Sequence, residues 1–139
     1  DNDTTDRVCR LIRYHDDRPE LSERTVRRAM NRIGVENMPA LFAVKRADTL
    51  GQSLYHREEK LAYVDTYEHL FKEICAARQC VQKKDLAIGG SDLIAMGMKP
   101  GREIGEALNE LFERVLDNPE LNQRDKLLEL AHNLMTRLI

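Results

Sequence analysis

A glycine-rich stretch at residues 85–113 constrains the fold of this chain more than any other part of its sequence. The stretch reads DLAIGGSDLIAMGMKPGREIGEALNELFE. Glycine adopts the backbone conformations that end helices, and proline is favoured in the first turn of a new helix. Apolar residues then recur at the helical period from Ile104 to Leu116. The pattern predicts a short helix, a tight corner and a long amphipathic helix.

The rest of the chain is also patterned as helices, and no segment alternates as a strand would. Of its 139 residues, 42% are hydrophobic, 33% are charged and 5% are aromatic, and none is tryptophan. This composition favours an all-α fold over a β-sandwich. Capping residues, glycines and prolines place the predicted helix starts at Thr4 or Thr5, Ser22, Asn37, Arg57, Gly90, Pro100 and Asn122.

Apolar stripes mark the helix faces that we expect to be buried. The first helix carries Val8, Leu11, Ile12 and His15, the third carries Leu41, Phe42, Val44, Ala47, Leu50 and Leu54, and the last carries Leu127, Leu130, Ala131, Leu134 and Leu138. A fourth helix is predicted from about Arg57 to Cys80, and its uninterrupted length is typical of a connector. We therefore predict a helical bundle over residues 1–80, joined by this long helix to a small helical tail domain over residues 81–139.

Bulk properties exclude several classes of protein. The net charge of −2 removes any argument from overall basicity, so contact with a nucleic acid would need a local basic face. No apolar run is long enough for a membrane helix, and the start does not resemble a signal peptide. Three irregularly spaced cysteines favour a reducing cytoplasm over disulfide bonding. The absence of an initiator methionine suggests a fragment of a longer protein.

Two clusters of candidate metal or catalytic residues have structural alternatives. His15 and Asp16, with the distant Asp48, are residue types that hold divalent metals, although a helix end also favours a histidine followed by an aspartate. In Gly89-Gly90-Ser91-Asp92 a second carboxylate is missing, so we interpret Asp92 or Ser91 as a helix cap. Cys75 and Cys80 lack a second ligand pair, and we predict no metal site and no catalytic residue.

The corner from Gly97 to Gly105 is the best candidate for binding an anion. Helix N-terminal amides carry positive partial charge, and Lys99 and Arg102 would add full charges next to Gly101. The alternative is purely structural, with Gly105 allowing two helices to pack closely. Further basic residues are Arg24, Arg27, Arg28 and Arg32 on the second helix and Lys72, Arg78, Lys83 and Lys84 near the domain junction.

These elements, in this order, resemble the back half of bacterial CCA-adding tRNA nucleotidyltransferases and their poly(A) polymerase relatives. The resemblance rests on VCRLIRYHD at residues 8–16, AVKRAD at residues 43–48 and the segment from Asp85 to Gly105. It implies a partial HD-like body followed by a tail, with the catalytic head and the nucleotide-selecting neck preceding this segment. CCA addition and poly(A) addition therefore both fit the sequence.

The resemblance also implies partners and cofactors. The full enzyme would use Mg²⁺ with CTP and ATP, whereas this segment would be inactive alone, hold no cofactor and grip the acceptor and TΨC arms of tRNA. The RNA-facing residues that we predict are Lys84, Lys99, Gly101, Arg102, Arg28 and Arg32.

Two other functions stay open. One is an HD-type metal-dependent phosphohydrolase with His15, Asp16 and Asp48 as ligands. The other is a helical protein-interaction module, which would associate through apolar surface that the rest of the protein normally covers.

Overall fold

The chain is all α-helical, as its sequence predicts. The computed structural model describes residues 2–137, in which there is no β-strand. The helices are α1 (Asn2–Tyr14), α2 (Glu23–Ile33), α3 (Met38–Gly51), α4 (Arg57–Ala76), α5 (Gly90–Ala95), α6 (Arg102–Asp117) and α7 (Arg124–Arg137). Short 3-10 helices lie at Val35–Asn37, Lys83–Asp85 and Pro119–Leu121. The chain divides into two compact units, Asp1–Arg78 and Gln79–Ile139.

The core of the first unit forms where α2 and α3 pack against α4. The Ser22 hydroxyl accepts a hydrogen bond from the Thr25 amide at 3.1 Å, which confirms the predicted start of α2. Gly34 ends this helix with a φ of +104°, a conformation that glycine adopts without strain. The Phe42 ring meets the Tyr67 ring edge-on at 5.1 Å between centroids. Fully buried side chains here include Val26, Met30, Ile33, Leu41, Phe42, Tyr67 and Ile74.

The prediction that α1 buries its apolar stripe is wrong. Val8 is 48% exposed and Ile12 is 63% exposed, and no residue of α1 is buried. The helix is held by polar contacts at its end, where the buried Lys45 ammonium donates to the main-chain oxygens of His15 at 3.0 Å and Asp17 at 2.5 Å. Because α1 already begins at Asn2, Thr4 and Thr5 lie inside it and do not cap it.

Two further sequence expectations fail in the first unit. Leu50 is exposed although it lies inside α3, and Leu54 is exposed beyond the end of that helix at Gly51. The predicted long helix ends at Ala76 rather than Cys80, because Arg78 takes a left-handed φ of 53°. Its buried side chains pack within the first unit.

The second unit is built around α6, with α5 and α7 packed against it. The core side chains from α6 and α7 match the predicted face, and they include Leu111, Phe112, Val115, Leu116, Leu127 and Ala131. The close helix approach lies at Gly90, where a Cβ atom would stand 3.3 Å from Ile104 Cγ2. At Gly105 a Cβ atom would meet nothing within 4 Å, so the structural alternative, in which Gly105 allows two helices to pack closely, is wrong.

The end of the second unit differs from the sequence prediction in one respect. The last helix begins at Arg124, and Asn122 does not cap it. Its side chain instead bonds to the main chain of residues 85 and 87, which lie far away in sequence. The predicted core position Leu138 lies outside the described residues. No helix between residues 2 and 137 is both long and apolar enough to cross a membrane.

Candidate functional site

The corner between α5 and α6 is fixed by its backbone. The Met98 amide donates to Leu93 O at 3.0 Å and the Gly97 amide donates to Ile94 O at 2.9 Å. With Gly97 at a φ of +105°, these bonds form a Schellman motif, and the buried Met98 side chain supplies its apolar contact. A side chain at position 97 would strain this conformation, so the glycine sets the direction in which the chain leaves α5.

The loop then presents the N-terminus of α6 to solvent. Gly101 precedes α6 with a φ of +138°, and no side chain caps the helix. Its first amides therefore point outward and carry the positive end of the helix dipole. Lys99 and Arg102 are both exposed beside them, and the Arg102 guanidinium pairs only with Glu106, at 3.0 Å, among residues 2–137. Lys99, Gly101 and Arg102 thus lie side by side at the start of α6.

A second basic segment lies against α6. The Lys83 ammonium donates to Asn109 Oδ1 at 2.6 Å, which fastens the 3-10 helix at Lys83–Asp85 to the middle of α6. Lys84 is exposed next to it and has no hydrogen bond or ion pair with any residue between 2 and 137. Lys84 therefore extends the set of basic side chains associated with α6.

Asp92 has a structural role. It accepts the Gly89 amide at 2.8 Å and pairs with Arg124 at 2.7 Å, and the hydrogen bond from Arg124, followed by that from Gly89, lowers the pKa of its carboxyl. Gly89 is the N-cap residue, with Asp92 three positions later, which corrects the prediction that Asp92 or Ser91 takes the cap position. The carboxylate ties α5 to the start of α7.

The chain is similar to known proteins over most of its length. The family model described as tRNA nucleotidyltransferase domain 2 matches residues 1–131. The chain belongs to this family. A CCA-adding enzyme from Lacticaseibacillus paracasei is 38% identical over 73 residues, which cover 52% of this chain and 18% of that enzyme. No solved structure matches the chain significantly.

In this tRNA nucleotidyltransferase domain, the arginines of α2 are less available than their sequence spacing suggests. Arg27 is only 4% exposed and lies 3.6 Å from Glu23. Arg28 is half-buried, and Arg32 lies 3.7 Å from Asp17. Arg28 and Arg32 lie in the first unit, whereas Lys84, Lys99, Gly101 and Arg102 lie in the second.

Two of the three candidate metal ligands line one small cavity, and a lysine lines the same cavity. His15 and Asp48 both face this cavity, together with Arg18 and Lys45. Burial and the nearby Arg18 lower the pKa of the Lys45 ammonium. The His15 ring pairs with Asp16 at 3.2 Å. Within residues 2–137, no three His, Cys, Asp or Glu side chains are grouped closely enough to hold a metal ion.

Two asparagines support the candidate site, and neither is marked by the sequence pattern. Asn109 holds Lys83, and Asn122 accepts the Ala87 amide at 2.8 Å and donates to Asp85 O at 3.0 Å. Asparagine favours turns and caps in general, so its type alone gives no signal for a contact with a residue far away in sequence. Such contacts become visible only in the folded chain.

Proposed function

We propose that this chain is the tRNA-holding C-terminal part of a CCA-adding tRNA nucleotidyltransferase whose catalytic head lies elsewhere in the parent enzyme. Membership of the domain 2 family and similarity to the Lacticaseibacillus enzyme support this proposal. The parent would add CCA to tRNA 3′ ends in the cytoplasm, using Mg²⁺ with CTP and ATP. That Mg²⁺ would be bound by the carboxylates of the catalytic head.

The observation that carries the proposal is the segregation of charge in the second unit. Residues 83–102 contain four basic side chains, Lys83, Lys84, Lys99 and Arg102, and only two carboxylates. The rest of residues 79–139 contains four basic and eight acidic residues. Lys99 and Arg102 thus lie beside the free amides of α6, where a phosphate-binding surface would need cations, and Lys83 is bound to the middle of the same helix. Glu103, in the first turn of α6, offsets part of this positive charge.

Recognition on such a surface would depend on shape. Contacts with phosphates position a protein on RNA without reading its bases, and double-stranded RNA is recognised largely through backbone geometry. Lys84, Lys99 and Arg102 would bind phosphates of the acceptor and TΨC arms, and Gly101 would let a phosphate approach the first amides of α6. Arg28 and Arg32 would add contacts from the first unit.

Binding to tRNA tests the proposal. The chain is titrated with a tRNA that lacks its CCA end and with duplex DNA of equal length, each at several salt concentrations. We expect a preference for tRNA and a steep dependence on salt. The K99A/R102A double variant should weaken binding and reduce the magnitude of the salt slope by about two, because each lost phosphate contact removes about one unit.

A matched control distinguishes the site from charge in general. The K126A/R137A double variant removes the same charge from exposed positions on α7 and should bind tRNA as the original chain does. Equal weakening by both double variants, or equal affinity for tRNA and duplex DNA, would contradict the proposal. Stable self-association without RNA binding would favour a helical protein-interaction module instead.

A further inference from the structure

Gly105 lies inside α6 without a reason that the fold itself provides. Glycine destabilises a helix interior relative to alanine because it loses more backbone freedom on folding. Its φ is helical, and a Cβ atom there would have no neighbour within 4 Å. The close approach between helices occurs at Gly90 instead. Alanine at position 105 would therefore fit the folded chain.

Gly105 lies on α6 between residues that carry or hold cationic groups. Residues three or four apart share one face of a helix, so Arg102, Gly105 and Asn109 follow one another along α6. Arg102 is exposed at one end of this face, and Asn109 holds the Lys83 ammonium at the other. At the helical rise per residue, the distance along the axis from Gly101 to Asn109 is about 12 Å. Glu106 shares this face and is the ion-pair partner of Arg102, and Gly105 is the position beside it that carries no side chain.

From this arrangement we infer that Gly105 is the point at which the sugar-phosphate backbone of tRNA crosses α6. Arg102 and Lys99 bind phosphates on one side of the crossing, and Lys83, positioned by Asn109, binds on the other. A side chain at position 105 would lift the strand away from at least one of these cations. The inference rests on the proposed tRNA-binding function and adds Gly105, Lys83 and Asn109 to its site.

Two substitutions at this position separate folding from binding. Gly105→Ala should raise the Tm by roughly 2–5 °C, because alanine is the better helix residue. The same variant should bind tRNA more weakly, and Gly105→Gln should bind more weakly still because its side chain is longer. If the longer side chain removes one phosphate contact, affinity falls about five- to eight-fold at about 0.1 M salt and the salt slope decreases by about one.

Gly51→Ala is the matched control. Gly51 also lies in a helix, and a Cβ atom there would likewise meet nothing within 4 Å, but it belongs to the first unit. Its substitution should leave tRNA affinity unchanged. Asn109→Ala should weaken binding without changing residue 105, because it releases Lys83.

The outcomes distinguish this inference from the function on which it rests. If K99A/R102A weakens tRNA binding but both Gly105 variants bind like the original chain, the crossing point is wrong and the proposed function stands. If the original chain shows no preference for tRNA, both are wrong. A lower Tm for Gly105→Ala would also overturn the inference, because the fold itself would then require the glycine.

Discussion

Replacing Asn122 with alanine should loosen the segment that carries the basic residues. The Asn122 side chain accepts the Ala87 amide at 2.8 Å and donates to Asp85 O at 3.0 Å. These bonds join residues 35 and 37 positions apart and hold the chain between the Lys83–Asp85 helix and α5. Alanine removes both bonds and leaves the main-chain groups to water.

The size of the effect follows from the two bonds. A hydrogen bond of this kind contributes about 0.5–1.5 kcal/mol net, so the loss of both would cost about 1–3 kcal/mol. Asn122 is only part-buried, and water can replace some of the lost interaction. We therefore expect the free energy of unfolding of the second unit to fall by about 1–2 kcal/mol, or roughly 4–12 °C in Tm.

Amide hydrogen exchange measures this change locally. In the original chain the Ala87 amide should exchange slowly, and in Asn122→Ala it should exchange faster than the amides of α6. Asn122→Asp keeps the acceptor for Ala87 but loses the donor to Asp85 O, so protection of Ala87 should survive in part. Asn133→Ala removes the same amide group from an exposed site on α7 and serves as the control. Unchanged Ala87 protection in Asn122→Ala would refute the reasoning.

The remaining predictions concern pH. The hydrogen bonds to Asp92 lower the pKa of its carboxyl below the ordinary value of 3.8. The charged carboxylate therefore stabilises the fold above that pH. This stabilisation is lost as the pH falls through the pKa of the folded state. Asp92→Asn should reduce stability at neutral pH and flatten the acid limb of a urea-denaturation series, and an unchanged acid limb would contradict this. Burial raises the pKa of the Tyr63 hydroxyl to about 12 and also raises the pKa of the Tyr67 hydroxyl. The unfolded chain therefore loses these two protons at a lower pH than the folded chain does. We expect the free energy of unfolding to fall as the pH rises above about 10. Tyr67→Phe should reduce this loss of stability at alkaline pH, and tyrosinate absorbance follows the deprotonation that causes it. An equal loss of stability in both proteins would count against burial of Tyr67 as the cause.

The sequence predicted those parts of the fold that local chemistry determines. Ser22 and Gly34 bound α2 as expected, because a capping hydroxyl and a left-handed glycine act within a single turn. The apolar period correctly predicted that α1 is a helix but wrongly predicted that its apolar face is buried. Periodicity cannot show whether another part of the protein covers a helix face. Lys45 explains how α1 is held, and nothing in its sequence neighbourhood distinguishes it from a surface lysine.

For a physical reason, the sequence indicates the exposed basic residues of the candidate site but not the residues that support them. The proposed phosphate surface would need free donors, and within the described part of the chain no side chain caps the first amides of α6, while Arg102 has only one exposed ion pair. The pair between Arg102 and Glu106 is exposed and spans one helical turn, which makes it worth only about 0.3–0.5 kcal/mol. On the proposed surface, a phosphate would therefore displace Glu106 from Arg102 at little cost. The contacts that hold Lys83 and the segment after it come from Asn109 and Asn122, which are distant in sequence. Such contacts leave no periodic trace in a sequence.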